Sequence, residues 1–158
     1  MRDLSLYRPC VGAVIFNARG QVWLGERYGA DGPYNWQFPQ GGIDTGESAE
    51  NALWREMLEE INLAPQDARV LDRTETELIY DYPASVRDQR KNGYHGQRQT
   101  WFALRFRGDE TRFRFDREDP PEFSDWRWTD FHEAVSRVIP FKRPVYEAVS
   151  GRFLPHSL

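Results

Sequence analysis

The stretch FPQGGIDTGESAENALWREMLEEIN (38–62) limits the choice of fold more tightly than any other part of the chain. Ser48 stands where a helix N-cap belongs, and Ala49, Ala52, Leu53, Met57 and Ile61 follow at helical spacing. A helix is therefore expected from Ser48 to about Asn62, with Pro65 just beyond. Asn62 suits the left-handed residue that closes a helix. Within this helix Glu56, Glu59 and Glu60 fall in an arc of about 100°. Like charges so spaced cost a solvated helix only about 0.2–0.5 kcal/mol per pair. At about 6 Å in a half-dry cleft, with an effective dielectric of about 20, the cost is about 2.8 kcal/mol per pair. Water tolerates the first cost. The second calls for a cation.

The residues before the helix favour the cleft. Gly41 and Gly42 are expected in a tight loop, where glycine permits a positive φ and close approach of a ligand to the main chain. That loop brings a backbone carbonyl beside the glutamate stripe. Carboxylates with a carbonyl form an oxygen donor set suited to a hard divalent cation such as Mg²⁺, which also takes substrate phosphates and water.

The rest of the chain reads as a mixture of strands and helices. CVGAVIFN (10–17) and QVWLGER (21–27) are expected to form a hairpin, and 28–46 a loop around the short aromatic segment WQF. Further strands are expected at 74–83, 98–107 and 123–130, a loop at 88–97, and helices around 131–138 and 142–152. Without regular βαβ alternation, this points to an α/β sandwich with a mixed sheet. The 158 residues suit one domain, 1–158, and 39% hydrophobic and 15% aromatic residues can build a core.

Charge and cysteine content narrow the setting. A net charge of −4 argues against broad binding to duplex DNA. Only Lys91 and Lys142 are lysines, so nearly all the positive charge is arginine, whose planar fork suits phosphate. No run approaches the roughly 18 apolar residues of a membrane span, and MRDLSLYRP lacks the apolar stretch of a leader, so the cytoplasm is the expected location. Cys10 is expected to be a packed thiol.

Gly41, Glu47, Arg55-Glu56, Glu59-Glu60 and the flanking apolar residues resemble the Nudix box, G-x5-E-x7-R-E-U-x-E-E-x-G-U. Six such matches arise by chance in a chain of this length about once in 10⁵. One position departs: Asn62 stands where the motif has glycine, an exchange expected to be nearly neutral. The resemblance implies an α/β/α fold with a mixed sheet and a Mg²⁺-dependent hydrolase, with Mn²⁺ as a substitute. It further implies that Gly41, Glu56, Glu59 and Glu60 bind metal and that Arg55 pairs with Glu47 to orient helix and loop. Glu56 is the first choice as base, with Glu60 and Arg55 completing the catalytic group.

YRPCVG (7–12), WQFPQGGI (36–43), HGQRQTWF (95–102), PEFSDWRW (121–128) and FKRPVYEAV (141–149) are similar to the branch of bacterial RNA pyrophosphohydrolases and diadenosine tetraphosphate hydrolases. This resemblance implies that Arg8 and Lys142 contact polyphosphate, that Phe141 stacks on a base, and that Glu122 completes the metal site. Arg27 is a further phosphate candidate from the strand leading to the glycines. Tyr80, alternating with Tyr82 on one strand, is a candidate for stacking on a base, with packing into the core the equal alternative. The expected substrate is 5′-polyphosphorylated RNA, the alternative a dinucleoside polyphosphate, and the expected state a monomer. A domain that only binds a nucleotide and regulates a partner is the reading from another class.

Overall fold

The computed structural model describes residues 2–87 and 93–157. In chain order its elements are β1 (Tyr7–Phe16), β2 (Val22–Arg27), β3 (Trp36–Gln37), β4 (Gln40–Gly42), α1 (Ala49–Ile61), β5 (Ala68–Arg73) and β6 (Leu78–Asp81). There follow α2 (Ala84–Arg87), β7 (Gly96–Phe106), β8 (Phe123–Thr129), α3 (Phe131–Arg137) and α4 (Arg143–Phe153). The eight strands form one mixed sheet with the path β3-β2-β1-β7-β5. β1 and β7 run parallel from Tyr7 opposite Gly96 to Phe16 opposite Arg105. The other pairings are antiparallel: β4 with β1, β6 with β7, β8 with β2.

Alternation along the two central strands builds a core on each face. Val11, Ala13, Ile15, Phe102 and Leu104 point to one side, where Ala52, Leu53, Met57 and Ile61 of α1 cover them. Val14, Phe16, Trp101 and Ala103 point to the other, beneath Phe131 and Ala134 of α3 and Val145, Tyr146 and Val149 of α4. The result is the expected helix–sheet–helix sandwich. Among the described residues, no helix is long and apolar enough to cross a membrane.

Several boundaries differ from the sequence expectation. The strand expected at 74–83 shortens to β6, and an unexpected strand, β5, precedes it; the two pair with successive stretches of β7 on either side of 74–77. In β5 only Ala68 is buried, so its alternation was hidden among charges. The loop expected at 28–46 contains β3 and β4, too short to show a period. β7 begins at Gly96, inside the loop expected at 88–97, of which 88–92 lie outside the described residues. The last helix starts at Arg143, behind a 3-10 turn at Pro140–Lys142.

Asn62 does close α1 in the left-handed region, at φ 61° and ψ 28°. Its side chain adds contacts that a glycine could not make. Asn62 is 3% exposed, donates from Nδ2 to the Arg112 carbonyl at 2.8 Å, and accepts from Arg117 Nε at 2.8 Å. Removing that side chain would take a partner from the partly buried Arg112 and from the exposed Arg117.

Candidate active site

α1 owes its position to both of its ends. Ser48 Oγ accepts from Asn51 N–H at 3.1 Å, while at the far end Asn62 N–H donates to the Leu58 carbonyl and Leu63 N–H to the Met57 carbonyl. Arg55 then ties helix to loop. It donates to both Glu47 oxygens at 2.9 Å, to the Gly42 carbonyl at 2.8 Å and to Glu56 Oε1 at 2.9 Å. Arg55's hydrogen bonds, followed by the Asp44 N–H, hold the Glu47 carboxyl down at about 2. This is the half-buried orienting pair that the motif implied.

Gly41 and Gly42 are strand residues in β4, opposite Val11 and Cys10 of β1, and neither lies at positive φ. The expected tight loop is thus corrected. What these glycines provide is space. A Cβ on Gly41 would collide with the Glu56 carboxylate, and one on Gly42 with the Arg8 guanidinium. The missing side chains let a carboxylate from α1 and a cation from β1 lie against the same strand.

These groups open onto a cleft of about 430 Å³. Glu56, Glu59, Glu60 and Glu122 line it, together with Glu118, which the sequence reading did not single out. Arg8, Arg27 and Lys142 line the same cleft. Lys142 is 9% exposed and donates to Gln37 Oε1 at 3.0 Å. Cys10 lies buried at the floor, as expected of a packed thiol.

Gln97 and Gln99 extend this floor, buried on the otherwise apolar face of β7. Gln99 Nε2 donates to Gln97 Oε1 at 2.8 Å, and Gln97 Nε2 to Tyr82 Oη at 2.9 Å. Buried amides at alternate strand positions were the available sequence signal, and it was missed.

Burial dominates the electrostatics of the acidic wall. Glu60 is 6% exposed, and desolvation, followed by the charges of Glu122 and Glu56, raises its carboxyl well above the ordinary range. Glu56 is raised in the same direction, again mainly by burial, with Arg55 opposing. Glu118 is raised by desolvation and then by Glu59, Glu56 and Glu122. Glu60 Oε2 is buried without a hydrogen-bond partner. A buried, unpaired carboxylate oxygen among other carboxylates fits a hard divalent cation, whose charge would favour the ionised forms. Among the described residues, no three ligand-type groups are already gathered as a metal cluster.

Of the two readings open for Tyr80 and Tyr82, the packed one holds. Tyr80 and Tyr82 are both buried, at 5% and 3% exposure, so neither offers a face to a base. Phe141 is half-buried against them, with ring centroids 5.7 and 6.4 Å away, and is not among the residues lining the cleft. The exposed aromatic nearest in sequence to a cleft cation is Tyr28, after Arg27, whose N–H donates to the Glu122 carbonyl at 2.9 Å.

The family model described as NUDIX domain matches residues 6–149. The chain belongs to the NUDIX domain family. A curated relative from Caulobacter vibrioides, called RNA pyrophosphohydrolase, is 45% identical over 96% of this Nudix chain and 88% of its own length. Another of that name from Rhodospirillum rubrum is 47% identical over 90% and 84%. Among solved structures, the E. coli dihydroneopterin triphosphate pyrophosphohydrolase matches with a TM-score of 0.70 at 21% identity, covering 90% of this chain and 95% of its own. A C. elegans Ap4A hydrolase matches at 0.67 and 17% identity, covering 94% and 98%. At those identities the two structures establish the Nudix fold alone. Hydrolases of the family generally use divalent metal ions, in keeping with the donor set described above.

Proposed function

We propose that this chain, a hydrolase of phosphoric anhydride bonds, removes pyrophosphate from 5′-triphosphorylated RNA and leaves a 5′ monophosphate. The observation that carries the reading is one cleft with a carboxylate wall and a cationic wall, a match for a polyphosphate bridged to a metal. Relatives at 45–47% identity called RNA pyrophosphohydrolase support RNA as the substrate.

Glu56, Glu59, Glu60, Glu122 and the Gly41 carbonyl are proposed to hold Mg²⁺, with Mn²⁺ as a substitute. When bound, that cation polarises phosphoryl oxygens and lowers the pKa of water. Arg55 donates to Glu56 Oε1 while Oε2 lies beside Gly41, and Glu56 is proposed to take the proton of the attacking water. Arg8, Arg27 and Lys142 neutralise the polyphosphate from the other side. Phe141, half-buried on Tyr80 and Tyr82, is proposed to stack on a base of the substrate. The setting proposed is a single cytoplasmic domain acting as a monomer. The full set of box glutamates argues against a domain that only binds nucleotide.

A dinucleoside polyphosphate would make the same phosphate contacts, so kcat/KM on triphosphorylated RNA and on diadenosine tetraphosphate should be measured side by side. A higher value on RNA is expected, and a preference for the dinucleotide would overturn the RNA reading. Glu56→Gln should lower kcat by about 10²–10⁴-fold with the fold retained. Undiminished hydrolysis would remove Glu56 from the mechanism.

A further inference from the structure

Asn62 holds two points of one segment. Its amide bonds the Arg112 carbonyl and the Arg117 side chain, and the five residues from 113 to 117 run without helix or strand towards the cleft. The first half of this segment has other anchors. Phe113 packs on Phe106 and Trp126, and Phe115 on Trp23 and Phe123. Past Phe115, the bond from Arg117 to Asn62 ties the segment back to the end of α1. The next residue is Glu118, which lines the cleft with Glu56, Glu59, Glu60 and Glu122. Five carboxylates on one wall repel one another, and Glu118, on an exposed connection, is the one with most freedom to retreat. The Asn62 clamp opposes that retreat. A glycine at this position would supply the left-handed turn without the clamp.

We propose that Asn62 is a positioning residue: by clamping Arg112 and Arg117 to the end of α1, it holds Glu118 at the cleft as an additional carboxylate for a divalent cation and its polyphosphate. The proposal rests on the cation-dependent reading above, and deepens it by a residue outside the box. The partnerless Glu60 Oε2 in the same wall is an independent sign that this wall receives a cation.

The test is Mn²⁺ binding to the intact chain without substrate, followed by electron paramagnetic resonance of the free ion. Glu118→Gln should weaken binding by up to about tenfold, at the lower end of effects seen when groups around a metal site are removed. Asn62→Gly keeps the turn and should weaken binding by a similar or smaller factor. Their combination should bind no more weakly than Glu118→Gln alone, because Asn62 acts through Glu118. Asn62→Asp keeps the acceptor for Arg117 but loses the donor to the Arg112 carbonyl, so its affinity should fall below wild type. Unchanged affinity in Glu118→Gln or in Asn62→Gly overturns the proposal, as does further weakening in the double variant. Glu56→Gln is the control for the cleft itself. If it leaves Mn²⁺ affinity intact, the metal reading fails; if it weakens binding while Glu118→Gln does not, only the role of Glu118 and Asn62 fails.

Discussion

A methyl group added at Gly41 would enter the space filled by the Glu56 carboxylate, the movable end of a flexible side chain. The chain should therefore fold with the carboxylate displaced. Misplacing a reacting group by about 1 Å costs on the order of 100-fold in rate. Gly41→Ala is expected to lower kcat by about that factor with little change in melting temperature. Steady-state kinetics beside a thermal melt would check this, and full activity would show that the close packing of Glu56 on β4 is dispensable. Asn62 teaches a related lesson at the same scale. Its backbone does what the motif's glycine would do, while its side chain reaches residues 50 and 55 positions away.

The tie between the β4–α1 loop and α1 is an acid-sensitive element. Glu47 falls from an ordinary 4.5 to about 2 because Arg55 and the Asp44 N–H bind its ionised form. A depressed carboxyl contributes stability above its unfolded value and loses it as pH falls towards the folded value. The Glu47→Gln variant lacks this contribution. Its melting temperature should lie below wild type by a constant margin above about pH 5, and the gap should close between about 4.5 and about 2. A gap that persists at the acid end would assign the effect of Glu47 to packing. The same tie explains the firmness of α1: Arg55 joins it to Glu47 and Gly42, and the apolar stripe seats it on the sheet.

Across the whole molecule, the two faces of the sheet meet at the cleft. Tyr146 Oη of α4 accepts from the buried Phe38 N–H, between β3 and β4, at 2.9 Å. Tyr146→Phe should cost about 1–3 kcal/mol, the penalty of an unsatisfied buried donor. Urea unfolding would measure it, and an unchanged midpoint would mean that the N–H finds another partner. Net charge acts at this scale too. A chain of −4 has little general attraction for RNA, so binding depends on the few cations of the cleft. Arg8→Ala should raise KM for triphosphorylated RNA, more at low salt than at high, as for a lost phosphate contact. A salt-independent effect would place Arg8 in structure rather than recognition. What the sequence by itself determined were the features set within a few residues: α1 with its Ser48 cap and left-handed Asn62, the hairpin, the longest strand and the glutamate stripe. Helical period and cap chemistry act over one or two turns, so local pattern suffices for them. Only the tertiary structure decided that Arg8, Arg27 and Lys142 share a cleft with that stripe, that Glu118 joins it, and that Tyr80 lies buried. Those outcomes depend on β1 running parallel to a strand 89 positions later and on β8 folding back onto β2. Such pairings are selected by the burial of both sheet faces together, a free energy that belongs to no single segment.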